Sequence, residues 1–420
     1  MNLLIKSATV LDTKSDFHNT QQDILIEKGN ISKIAKSIRN PNKYREINLE
    51  NLHISQGWFD SSVCFGEPGF EERETIENGL RTASKSGFTA VALNPNTNPV
   101  IDTNSDIAFI KSKAEKSATT LIPIGALTKE SKGQDLAELF DMKNAGAKAF
   151  CDYKKSISNP NLLKIALQYA SNFDGLICSF AQEDKIVTSG VMNEGITSTL
   201  LGLNGNPALA EELQIARDLF ILEYTQGKLH IPTISTAKSV ELIRDAKRKK
   251  LDVTCSVAVH NLWFSDSDLK DFNTNFKVLP PLRTEDDINA LKEGLKDGTI
   301  DMVTSDHNPL NIERKKIEFD HADYGTIGLE SSFGALNSLF TVKKAINLLT
   351  NGKERFGLKN DPINIGRKAN VTLFNPETKY GFNDENIVSK SKNSIFQNIA
   401  LKGKVYGIVS NNKVVLNYSL

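Results

Sequence analysis

At 420 residues, with 39% hydrophobic and 24% charged residues, the chain is long enough for a large domain plus a smaller one and has a soluble, globular composition. Lys+Arg and Asp+Glu are equal at 51 each, so there is no electrostatic footprint of nucleic-acid or anionic-membrane binding. No run of eighteen apolar residues exists, and the first residues read as a strand rather than as a signal segment, so a cytoplasmic protein is expected.

The first fifty-odd residues look like strands: 3–10, 23–27, then Lys28-Gly29-Asn30 as a turn into 31–34. The stretch from Gly57 to Gly69 is an apolar approach (Trp58, Phe59), an acid (Asp60), a short alternating run and the turn Glu67-Pro68-Gly69. From Glu72 the pattern becomes helical, with Ile76, Leu80 and Ala83 at three- and four-residue spacing before Gly87. The apolar run 89–93 then reads as a parallel strand buried on both faces.

That alternation repeats. Helix 107–116 leads to strand 120–126, helix 135–145 to strand 147–151, and helix 162–173 to strand 175–180. Helix 211–225 leads to strand 228–231, helix 237–249 to strand 252–257, and helix 285–295 to strand 299–304. About eight strand-helix units predict an α/β fold, a (β/α)8 TIM barrel over 57–356 whose functional residues sit at strand C-termini. After Gly357 short strands return (370–374, 401–405, 414–417), so 1–56 and 357–420 are expected to form a composite β-sandwich domain. The four cysteines, Cys64, Cys151, Cys178 and Cys255, lack C-x-x-C spacing, so neither a disulfide framework nor a zinc finger is suggested.

Several motifs occur in a recognisable order: Glu67-Pro68-Gly69-Phe70-Glu71, Gly87-Phe88-Thr89, Asn94-Pro95-Asn96-Thr97-Asn98-Pro99, Met192-Asn193-Glu194-Gly195 and Ser235-Thr236-Ala237. They continue with Lys277-Val278-Leu279-Pro280-Pro281-Leu282-Arg283, Ser305-Asp306-His307-Asn308-Pro309 and Gly328-Leu329-Glu330. Over nearly its full length the chain resembles the dihydroorotases, metal-dependent amidohydrolases, of the bacterial and multifunctional-complex type. The resemblance implies an amidohydrolase barrel and a zinc centre that activates water to open the dihydroorotate ring. Such a centre needs several N, S or O donors within about 2.0–2.3 Å and lowers the pKa of bound water toward about 7.

Matched position by position, most of those donors are gone. The first two histidine positions are Ser62 and Cys64, the bridging acid falls on Tyr153 with Asp152 beside it, and the next two histidines fall on Ala181 and Thr233. Asp306, the last ligand and proton acceptor, is in place. The arginine that would pair with the substrate carboxylate is Gly66, which offers no charge in exchange. The family's Pro-His-His segment reads Val259-His260-Asn261, while Asn96 and His307 remain as substrate-contacting positions.

Each signal has a plainer reading. Asp306-His307 is then an inherited polar pair satisfied by neighbours, and Cys64 an inert buried thiol. His230 is structural, His260 a hydrogen-bonded loop histidine, and Lys315-Lys316 ordinary exposed lysines. Asp152, Glu183, Asp184 and Asp306 would rebuild a cation site only by converging on one ion such as Mg2+. The leading expectation is a dihydroorotase homologue without zinc or activity, a homodimer serving as scaffold or regulatory partner of the aspartate transcarbamoylase catalytic subunit. The alternatives are an active dihydroorotase or other cyclic amidohydrolase with a rebuilt site, and a small-molecule binding protein using the old pocket.

Overall fold

The computed structural model describes residues 1–417. Eight parallel strands stand side by side in chain order: β1 (Trp58–Val63), β2 (Phe88–Leu93), β3 (Thr120–Gly125), β4 (Ala149–Phe150), β5 (Leu176–Cys178), β6 (Leu229–Ile231), β7 (Val253–Ala258) and β8 (Met302–Thr304). A parallel bridge between Val63 and His307 closes the last strand onto the first, and the Cys64 amide donates to the His307 carbonyl at 2.7 Å. The result is the expected (β/α)8 barrel. Several strands are shorter than their apolar runs: β4 keeps two residues of the 147–151 expectation, because the ladder to its neighbours covers only Ala149 and Phe150.

Helices ring the barrel, several of them beginning at a side chain that satisfies free amides of the first turn. In α1 (Ile76–Lys85) the Thr75 hydroxyl accepts from the Asn78 amide, and Ile76, Leu80 and Ala83 are buried against the strands. Capping boxes open α2 (Asn104–Ala114) through Thr103 and Asp106, and the helix Glu285–Asp297 through Thr284 and Asp287. Inside the barrel Phe59, Ala90, Ala92, Ile122, Ile124, Ala149, Cys151, Leu176 and Cys178 form one buried cluster. Their two-residue spacing puts them on one face of each strand, as a barrel interior requires.

The two ends of the chain share a second, eight-stranded mixed sheet. Its N-terminal strands are Leu3–Val10, Gln21–Glu27, Asn30–Ala35, Arg45–Ile47 and His53–Gln56, and its C-terminal strands Val371–Gly381, Ala400–Ser410 and Lys413–Leu416. The halves join where His53–Gln56 pairs antiparallel with Val371 to Phe374. Trp58, at the start of β1, packs its ring 4.7 Å from Phe333 and 5.7 Å from Phe374, so the same indole ties the sheet to the barrel. Among the described residues no helix is long and apolar enough to cross a membrane.

Candidate active site

The C-terminal ends of β1 to β6 and β8 converge on a small cavity of about 20 Å³ lined by Ser62, Asn94, Cys151, Tyr153, Lys154, Cys178, His230, Thr233 and Asp306, with Phe356 against it. That volume is room for a single water.

Asp60 sets the frame. Its carboxylate accepts from the Ser62 amide at 3.0 Å, the Thr304 hydroxyl at 2.5 Å and the Ser305 amide at 2.8 Å, which locks the end of β1 to the end of β8. Asp306 follows with φ +48, a left-handed conformation uncommon outside glycine. Two other cavity residues share it, Lys154 at φ +51 and Thr233 at φ +50. Backbone strain of this kind collects at functional sites.

Asp306 is 2% exposed. Its Oδ2 accepts from Lys154 Nζ at 2.7 Å and its Oδ1 from Tyr153 Oη at 3.4 Å. Burial raises its pKa above the usual carboxylate range, and the Lys154 charge opposes the rise. Burial also holds the Tyr153 phenol well above its ordinary value, so it stays protonated. Cys64 is pushed up to about 12 by burial and remains a thiol, with Asn94 Nδ2 at 3.7 Å from its sulfur.

The other positions expected from the sequence separate. Asn96 and His307 lie outside the lining of this cavity, and Asn94 rather than Asn96 reaches it. His307 Nδ1 accepts from the Gly328 and Leu329 amides at 3.2 and 3.4 Å, which leaves the proton on Nε2, an atom without a hydrogen-bond partner. The Asn96 Oδ1 atom is likewise buried and unpaired. His230 faces Thr254 Oγ1 at 3.0 Å through Nδ1 and Ser256 Oγ at 3.3 Å through Nε2, and burial lowers it to about 3.

Two plainer expectations need correction. His260 is buried within the 3₁₀ turn Val259–Leu262, and its Nε2 has no hydrogen-bond partner among the described residues. Lys315 is 5% exposed, not a surface lysine: its Nζ reaches the Asp323 and Gly325 carbonyls at 3.0 and 3.1 Å, and burial brings it down to about 7.

The four acids named as a cation site do not converge. The Asp152 carboxylate turns away to accept from the Leu127 and Thr128 amides, both at 3.0 Å. Glu183 caps the helix Asp184–Val187, and Asp184 accepts from Ser156 and Gln182. Among the described residues no group of three or more His, Cys, Asp or Glu side chains is placed to hold a metal.

Sequence reasoning missed Lys154. The signal available was its position, one residue past the site of the lost bridging acid, where a cation near Asp306 could stand.

Comparison with known proteins places this geometry. A family model described as Dihydro-orotase-like matches residues 53–239. A protein of Ruminiclostridium cellulolyticum named Dihydroorotase is 40% identical over 424 residues, covering 99% of both chains. The chain belongs to the dihydroorotase family. Another member, from Pelotomaculum thermopropionicum, is 38% identical with 99% of each chain covered. Among solved structures, the L-hydantoinase of Arthrobacter aurescens superposes with a TM-score of 0.85 at 19% identity, over 99% of this chain and 96% of that one, a likeness of fold.

These dihydroorotase relatives overturn the leading expectation. Full-length relatives that bear the name of the enzyme point to an enzyme, and none supports a non-catalytic scaffold. The relatives' names favour the alternative, an active enzyme, over the scaffold reading. The residues at this mouth do not resemble a zinc centre. Ser62, Ala181 and Thr233 supply no strong donor, Cys64 lies outside the cavity lining, and an ammonium occupies the free side of Asp306.

Proposed function

We propose that the chain catalyses the ring chemistry of its family, interconversion of dihydroorotate and N-carbamoyl-aspartate, at the barrel mouth around Asp306. The observation that carries this reading is the full-length similarity to relatives named Dihydroorotase. The side chains present supply what a cyclic-amide hydrolase requires, without a step routed through zinc. Opening the ring needs a base for the water proton, a positive group facing the oxyanion that forms at the carbonyl, and a proton for the departing ring nitrogen.

Asp306 is the base. Its raised pKa makes it a better proton acceptor than an exposed carboxylate. Lys154 offers the positive charge, in a buried setting where charge interactions are weakly screened. Water adds to the ring carbonyl as its proton passes to Asp306. The C–N bond then breaks, and that proton returns to the ring nitrogen. Tyr153, held protonated, donates to Asp306 and orients it. The cavity as it stands admits one water.

The test is an assay of both directions with purified protein. Turnover should be present in the native chain and fall by at least about 100-fold in Asp306→Asn, the scale of losing a general base. Undiminished turnover in that variant, or none in the native chain in either direction, overturns the proposal.

A further inference from the structure

We infer that Lys154 is the permanent cation of the barrel mouth: its ammonium stands against Asp306 where the family would set a metal charge, so this centre takes up no zinc.

Three independent observations carry this. The first is geometry. Lys154 Nζ lies 2.7 Å from Asp306 Oδ2, with the two side chains 10% and 2% exposed. A lysine reaches this place because its backbone is left-handed, at φ +51, and because the segment beneath it is pinned. The Lys155 amide donates to the Asp152 carbonyl at 3.1 Å, Lys155 Nζ to the Ser131 carbonyl at 3.2 Å, and the Asp152 carboxylate grips the Leu127 and Thr128 amides. The ammonium is built in, with its own scaffold.

The second is donor chemistry. Zinc in proteins takes at least three protein donors among thiolate, imidazole and carboxylate. Cys64 lies outside the cavity lining, both nitrogens of His230 face hydroxyls, Asp306 is already engaged by Lys154, and among the described residues no three His, Cys, Asp or Glu side chains, the lining thiols Cys151 and Cys178 included, are grouped to hold a metal.

The third is charge balance. Lys154 and Asp306 cancel one another. A divalent ion added beside them would leave two uncompensated positive charges in a closed space, and Asp152, the other acid lining the cavity, is committed to backbone amides. Buried charge without a counter-charge is strongly unfavourable. The ion pair therefore excludes the metal by charge as well as by space.

The inference goes beyond the proposed activity and is read without an assay. Protein produced in zinc-supplemented medium and freed of loosely bound ions should carry only a trace of zinc by elemental analysis. One zinc per chain or more, whether or not the protein turns over, overturns the inference. A double-mutant cycle then tests the pair itself. Lys154→Met and Asp306→Asn should each lower the Tm, and Lys154→Met/Asp306→Asn should recover most of the loss, since no charge is left alone. Losses that simply add would overturn the pairing. Zinc-free protein that turns over supports both readings, whereas zinc-free protein that is inert in both directions overturns the proposed activity and leaves Lys154 as the resident cation.

Discussion

Gly66 shows how far a single residue can commit its surroundings. By the resemblance an arginine is expected there, yet a Cβ built at this position would lie 1.8 Å from the Phe70 carbonyl oxygen. The same turn has the Phe70 amide donating to the Gly66 carbonyl at 2.7 Å and the Gly66 amide to the Glu74 carbonyl at 2.9 Å. The loop has closed around the missing side chain, so restoring the arginine means moving backbone. Gly66→Arg and Gly66→Ala should both lower stability by about 1–3 kcal/mol in urea unfolding, as overpacking does. A harmless alanine would show that the turn opens freely. At this scale the reading of loss came from the resemblance, which sets expected donors at Ser62, Cys64, Ala181 and Thr233. The sequence was silent about gain. Lys154 works through a left-handed backbone and a partner 152 residues away, and neither leaves a local pattern.

At the scale of elements, the motif from Lys277 to Arg283 turns out to be a clamp on the loops. Lys277 Nζ binds the Phe319 and Asp320 carbonyls at 2.7 and 2.9 Å. Arg283, 3% exposed, donates to Asn193 Oδ1 at 2.9 Å, the Asn206 carbonyl at 2.6 Å and Ser235 Oγ at 3.1 Å. Ser235 and Ser239, at the start of the helix Ala237–Arg248, in turn donate to the buried Glu211 of the helix Ala208–Thr225. Arg283→Met should cost about 3–5 kcal/mol of unfolding free energy, since it leaves Glu211, the Asn193 amide oxygen and the Asn206 carbonyl without their cation. A loss below about 1 kcal/mol would mean that the network is redundant. The alternation of strands and helices was legible because apolar runs and helical spacing are local. The ends of β4 and β8 were not, because ladder partners decide where pairing stops.

Across the whole molecule, buried histidines set the response to acid. Burial holds His230 and His260 at about 3 and His307 at about 4. Each stays neutral in the fold while the unfolded chain takes up a proton near about 6.5. The stability tied to these groups is therefore complete above about pH 6.5 and is lost as pH falls toward the folded values. By about pH 5 each contributes roughly 2 kcal/mol of loss. His230→Asn should accordingly lose about that much less than the native chain between neutral pH and about pH 5, measured by urea unfolding at both. Equal losses would show that His230 titrates alike in both states.

The pairing of His53–Gln56 with Val371 to Phe374 also has a consequence for synthesis on the ribosome. The first strands of the mixed sheet emerge about 300 residues before the strand that completes them, which at about 5–20 residues per second is roughly 15–60 s. Throughout that interval His53–Gln56 presents an unpaired edge, open to strand addition from another nascent chain. The order of the elements thus makes the waiting sheet, rather than the barrel, the point at which a folding helper would matter.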